Sequence, residues 1–298
     1  MKVLVTGASG HIGSAVAREF LKHDYEVRVV DKNPLPEDLR GRVEMVYAQI
    51  TDRLAMLKAV EGCDKIAHLA AIPNPIRSED QLMEVNVVGT QNVLAAAEAN
   101  GIKNVCLASS GCAFGMVFAK HPFDPQYFPM DEKHSDAPQD LYGLSKLLNE
   151  LTAATYTRRS GMATVCLRIT TVMSFDDNHH SRWRRRNLEH GGNWKNREMW
   201  TYVDLRDCAR AFRLGVENVQ EGHHVLLLAA RDAYSPHDVR ELVRHHYPHL
   251  AHQVEHLNPT DGLYDVSLAE KTIGWVAEHS WRDMPELRDI QAEPLESK

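Results

Sequence analysis

Tyr142 and Lys146 stand four residues apart in the run YGLSK. That is just over one helical turn, so a helix carries both on one face. A phenol beside an ammonium is a proton-transfer pair. The positive charge favours phenolate, and a phenolate takes a proton from an alcohol. Far upstream, the chain opens KVLVTGASGHIG. Its loop runs Gly7, Ala8, Ser9, Gly10, His11, Ile12, Gly13, after an apolar strand pattern and before a helical one. Glycines at this GxxGxxG spacing let the backbone turn tightly and approach a pyrophosphate at the positive end of a helix. Either signal alone has a plain structural reading, as a helix face or a glycine turn. Together, in this order, they point to a nicotinamide-dependent enzyme.

Two acids extend the cofactor reading. Asp31 ends the second strand pattern, where a carboxylate accepts from ribose hydroxyls and repels a 2′-phosphate. This favours NAD over NADP. The alternatives are that Asp31 only begins the DKNP turn, or that Lys32 beside it takes a phosphate. Asp52 follows the third strand pattern. It is either part of the adenine pocket or a first-turn acid set against the helix dipole, with Thr51 as the N-cap.

The elements needed to position these groups are legible. Short apolar runs at Val3–Thr6, Glu26–Val30, Val43–Tyr47, Lys65–Leu69, Asn104–Ala108 and Thr164–Arg168 alternate with helical patterns near His11–His23, Asp52–Val60, Glu79–Asn100 and Gln139–Ser160. This rhythm predicts an α/β fold, a Rossmann-type doubly wound parallel sheet with a small C-terminal substrate lobe. The expected division is 1–170 for the NAD-binding domain and 171–298 for the lobe, with elements near 204–230 packing back on the first domain. A helix is expected at Asp204–Glu217, a strand at His224–Ala229 and a helix at Pro236–His246. Residues 175–198 read as a polar loop, and the tail from Ile290 as loose. The Pro-rich stretch His121–Pro138 is expected to wall the active site.

A net charge of −7 over 298 residues argues against a general nucleic-acid binder. No apolar run approaches a membrane span. The first strand is expected to begin at Lys2, so no leader is expected, and the five cysteines show no CxxC spacing. A cytoplasmic protein with reduced thiols is expected. The 17 histidines form no standard ligand set, so no metal is expected.

At this point the residues resemble a family, the extended short-chain dehydrogenase/reductases, in their NAD-dependent epimerase/dehydratase group. Besides TGASGHIG and YGLSK, the resemblance rests on HLAA from His68, NVVGTQNVLAAA from Asn86, ASSGCAFG from Ala108, LRITTV from Leu167 and YVDLRDCARA from Tyr202. It implies Tyr142 as catalytic acid/base, Lys146 as its partner and Ser110 as the hydroxyl that aligns substrate, with Ser109 its nearest rival. It implies that Leu69, Ala70, Ala71 and Ala108 lie along NAD and that Asn86 anchors the helix near the nicotinamide. Cys112, Phe114, Arg168 and Arg182 are the candidate substrate contacts. Arg168 has a second reading as the structural partner of an acid, and the Arg182–Arg186 cluster a second reading as a solvated loop. A homodimer through the Ala-rich and YGLSK helices is also implied.

The function expected is hydride transfer from a sugar or nucleotide-sugar hydroxyl, as in a UDP-sugar 4-epimerase. The alternatives are an NAD-dependent dehydrogenase of a free sugar or uronic acid, and a non-catalytic NAD-sensing regulator. Ala113-Phe114-Gly115 stands where the family usually has VYG, and the stretch from Arg168 to Tyr202 looks short. Both departures fall where the substrate would be read.

Overall fold

The computed structural model describes residues 1–75, 77–174, 187–193, 196–287 and 289–296. In chain order its strands are β1 (Lys2–Thr6), β2 (Glu26–Asp31), β3 (Glu44–Tyr47), β4 (Lys65–His68), β5 (Asn104–Ser110), β6 (Ala163–Ile169), β7 (Val172–Met173), β8 (Val203–Asp204) and β9 (His223–Leu228). The helices are α1 (His11–Lys22), α2 (Arg53–Ala59), α3 (Glu79–Met83), α4 (Gly89–Ala99), α5 (Leu141–Ser160), α6 (Leu205–Asn218), α7 (Val239–His246) and α8 (Ser267–Ile273).

A seven-stranded sheet runs β3-β2-β1-β4-β5-β6-β9, all parallel. The strand order reverses between β1 and β4. In an open α/β sheet the cleft at such a switch point, above the carboxyl ends of the strands, is where ligands bind. The central strands are apolar throughout because both faces are covered. One face packs Val16, Phe20, Phe212, Val216 and Trp275, from α1, α6 and the segment after α8. The other packs Met56, Val93, Leu94, Ala97, Ala153 and Tyr156, from α2, α4 and α5. The later sequence thus returns to the first sheet through α6 and β9. β7 and β8 form a separate parallel pair.

Several boundaries differ from expectation for local reasons. The N-cap of α2 is Asp52, whose carboxylate accepts from the Ala55 N–H at 3.0 Å, and not Thr51. The long helix expected over Glu79–Asn100 is interrupted by a π-turn at Glu84–Val88, which contains Asn86. Such turns widen a helix locally and are frequent at functional sites. The tail is not loose: Ile290 is buried, and the Glu293 and Glu296 N–H groups donate to Glu189 and Asn193. Residues 175–186, with Arg182, lie outside the described residues. Among the described residues no helix is long and apolar enough to cross a membrane.

Candidate active site

The glycine loop closes so tightly that only hydrogen fits at its ends. Gly7 has φ +78°, and a Cβ there would lie 2.7 Å from the Ala70 nitrogen. A Cβ on Gly13 would lie 2.1 Å from the Gly7 carbonyl oxygen. Gly10 caps α1 without a side-chain hydrogen bond, so no capping side chain stands over the positive start of the helix. A cavity of about 590 Å³ opens above this loop and runs along the sheet switch point. Its cofactor half is lined by Gly7, Ser9, Gly10, His11, Ile12, Gly13 and Asp31, then by Leu69, Ala70, Ala71 and Ala108. Apolar strand ends, a glycine cradle and an acid at the end of β2 fit a dinucleotide.

Asp31 begins the turn and also faces the cavity. It lines the cavity, and its two oxygens accept the Ser9 and Asn33 N–H groups, each at 2.9 Å. Asp52 and Asn86 do not line the cavity. Asp52 caps α2, and the cavity lining beside it is formed by Gln49, Ile50 and Thr51. Asn86 is fully buried and acts at one remove. Its amide oxygen accepts the Ile72 N–H at 2.7 Å, and its nitrogen donates to the Ile72 carbonyl and to Ser145 Oγ, both at 3.1 Å. It therefore ties a cavity wall, Ile72, to the helix that carries Tyr142 and Lys146.

Behind this wall runs a hydrogen-bonded chain. Thr90 donates to the Asn86 carbonyl, so His68 Nε2–H donates to Thr90 Oγ1 at 2.9 Å. His68 Nδ1 then accepts from Thr6 Oγ1 at 2.7 Å. Burial pulls the His68 pKa down to about 3, with a smaller contribution from the Lys146 charge. The ring is a neutral strut.

α5 begins at Asp140, whose carboxylate accepts the Gly143 N–H. Tyr142 and Lys146 follow on one face and both line the cavity, with Ser110 and Cys112 opposite. Tyr142 is 7% exposed and Lys146 3%. Lys146 Nζ donates to the Ala108 carbonyl at 2.9 Å and lies 5.5 Å from the centre of the Tyr142 ring. Burial pulls Lys146 down to about 8. Burial also pushes the Tyr142 phenol well above its usual value, and a hydrogen bond with Ser110 opposes this only in part. The spacing argument expected Lys146 to favour the phenolate; for the protein alone, burial is the largest influence on Tyr142. Desolvation disfavours the charged phenolate, and the Lys146 ammonium is itself held inside the protein.

The two serines both line the cavity but differ in their partners. Ser109 donates to Glu150 Oε1 at 2.5 Å, while Ser110 Oγ accepts the Cys112 N–H at 3.1 Å and meets Tyr142. Glu150 lies two turns beyond Tyr142 on the same helix face and is clamped by Arg168, with contacts of 2.8 and 2.9 Å. Arg168 also reaches both oxygens of Asp136 at 2.8 Å. Arg168 is thus not a cleft residue; its guanidinium is consumed by two carboxylates. Phe114 is likewise buried beneath the cavity, with its ring under Arg168 at 4.8 Å. The Pro-rich stretch supplies a buttress, through Asp136, Phe128 and Met130, and not a wall. The wall is made by Val117 and Phe118, just before it.

Sequence reasoning missed another part of the cavity lining: Thr170, Thr171, Glu198, Thr201 and Tyr264. Tyr264 is brought there by Met130, which pairs with Leu263 and Asp265 through its backbone at 2.8 Å. No local pattern announces such a contact. Among the described residues, no cluster of three or more His, Cys, Asp or Glu could hold a metal.

Residues 3–229 match the family described as NAD dependent epimerase/dehydratase. A UDP-glucose 4-epimerase of Corynebacterium glutamicum is 23% identical, over 94% of this chain and 92% of its own length. An NAD-dependent glucose-6-phosphate dehydrogenase of Haloferax volcanii is 29% identical, over 72% of this chain and 80% of its own. A solved UDP-glucose 4-epimerase with UDP-glucose, from Thermotoga maritima, shares the fold with a TM-score of 0.73 and 22% identity, covering 94% of each chain.

Proposed function

The chain belongs to the NAD-dependent epimerase/dehydratase family, and on that premise we propose that it oxidises a carbohydrate hydroxyl with Tyr142 as base, Lys146 as its partner and Ser110 as the aligning group. The observation that carries this reading is the convergence of all three on one cavity end, beside a glycine cradle. NAD, when bound, supplies the hydride acceptor and a positively charged ring. Tyr142, as phenolate, takes the hydroxyl proton at its Oη while the same carbon gives up hydride. The carbonyl forms as the C–H bond breaks, and the proton stays on Tyr142. Ser110 holds the hydroxyl in line. Lys146, fixed by the Ala108 carbonyl, keeps a positive charge beside the phenol.

A phosphate-bearing substrate, such as a UDP-sugar, is supported by a second hollow that shares Val117 and Phe118 with the first. Arg77, Lys120 and Arg197 line it, opposed by Glu79 and Asp140. A second reading, a dehydrogenase of a sugar without a nucleotide, is supported by the Haloferax relative. NADH absorbance, followed against UDP-hexoses, free sugars and uronic acids, separates the two. Stoichiometric NADH with a free sugar ends the epimerase reading. Interconversion of UDP-hexoses without released NADH ends the dehydrogenase reading.

Cofactor choice gives a further test. Asp31→Asn keeps an acceptor for the loop but removes the charge that opposes a 2′-phosphate. We expect the NAD-over-NADP ratio of kcat/KM to narrow by about tenfold or more. An unchanged ratio would remove Asp31 from cofactor selection.

A further inference from the structure

Glu198 is a cavity carboxyl that the chemistry above does not use. One of its oxygens, Oε2, accepts the Thr171 hydroxyl. The hydrogen bonds of the described residues leave Oε1 unused. Burial raises its pKa, and its charge is felt by Cys112 and Tyr264 across the same cavity end. Thr170, Thr171, Thr201 and Tyr264 line the cavity with it, the Thr170 hydroxyl donating to the Leu228 carbonyl. Of the described cations, only Lys146 lines this end, and it is bound to the Ala108 carbonyl. Arg197, the preceding residue, belongs to the neighbouring hollow and donates to the Ala119 carbonyl at 2.8 Å.

The backbone holds Glu198 in place at a cost. Met199 and Trp200 both adopt left-handed φ values, 55° and 53°, which non-glycine residues rarely take. Both side chains are buried, and the Trp200 Nε1–H is anchored on the Gly191 carbonyl. The Glu198 N–H donates to Asn196 Oδ1 at 2.7 Å, and its carbonyl accepts both the N–H and the hydroxyl of Thr201. A strained turn, fixed from several sides and next to a cavity carboxyl, marks a position set by function.

We propose that Glu198 determines specificity at the reactive end: it accepts hydroxyl hydrogens of the sugar beside the oxidised carbon and refuses an anionic group there. The inference rests on the carbohydrate reading of this cavity. A neutral diol offers donors to a carboxylate. A ligand carboxylate in the same place must either face Glu198 or force a proton onto it, and both weaken binding. Neutral hexosyl ligands are therefore taken in preference to the matching uronates.

The test is calorimetric titration of the NAD-loaded protein with UDP-glucose against UDP-glucuronate, and with glucose against glucuronate. In the wild type, the neutral member of a pair should bind at least about tenfold more tightly. Glu198→Gln, which keeps the shape, should bring the two within about threefold, mainly by tightening the uronate, while Glu198→Asp keeps the preference. Equal affinities in the wild type, or a ratio unmoved by Glu198→Gln, would overturn the inference. If neutral ligands bind with the expected preference but yield neither NADH nor epimer, the inference stands and the oxidation reading falls. If neither pair binds, both fall.

Discussion

Tyr142→Phe should lower kcat by about a thousandfold while NAD binds as before. The ring is almost fully buried and meets Phe118 edge-on at 6.1 Å, and phenylalanine keeps that packing. What disappears is the only oxygen in the Tyr–Lys pair able to take the substrate proton. The wild-type rate should climb with pH, because burial holds Tyr142 protonated and activity needs the phenolate. The residual rate of the variant should lose that climb. Turnover within a few-fold of wild type, measured by steady-state kinetics beside an NAD titration, would mean another group is the base.

Arg168→Met should be the most damaging change away from the chemistry. Arg168 and Glu150 are both almost fully buried, 3% and 4% exposed. Methionine removes the positive partner and leaves Glu150 inside the protein with Ser109 as its hydrogen-bond donor among the described residues. Breaking a buried pair this way costs about 3–5 kcal/mol. In a chain of this size that lowers the melting midpoint by roughly 5 °C or more. Asp136 is released at the same time, so the buttress loses its hold on the catalytic helix. Calorimetry showing an unchanged midpoint would contradict this account. Glu150→Gln should be milder, since it leaves Arg168 still paired with Asp136.

The strands, the glycine loop and the Tyr142–Lys146 spacing were legible because each is a local pattern: apolar runs, φ-permissive residues, a helical period. The same locality explains the errors. Asp52 sits at a helix start, where capping and cofactor contact ask for the same residue type; the structure shows the cap on Ala55, and Asp52 is absent from the cavity lining. Arg168 ends a strand at the cleft, yet Glu150 and Asp136 claim it from segments the sequence does not join to it. Glu198 sits in a polar stretch without periodicity, and its placement depends on the two left-handed residues that follow. Neither Met199 nor Trp200 advertises such a backbone. Tyr264 arrives through backbone pairing with Met130, which any residue types could make.

The neutral strut at His68 also sets how the molecule meets acid. In the unfolded chain a histidine takes up a proton near pH 6.5, whereas in the native protein His68 does so only near 3. Between those values the unfolded chain binds a proton that the folded one refuses, so stability falls as the pH drops through that window. His223, lowered by burial to about 4, acts in the same direction. The joint between β1 and β4, where Thr6 meets His68, is then a weak seam in mild acid, and it is the seam along which the dinucleotide cleft opens. Souring the medium should therefore shed cofactor and fold together, with the melting midpoint sliding down from about pH 6.5. A midpoint that stays level to about pH 4.5 would show that the strut carries no such liability.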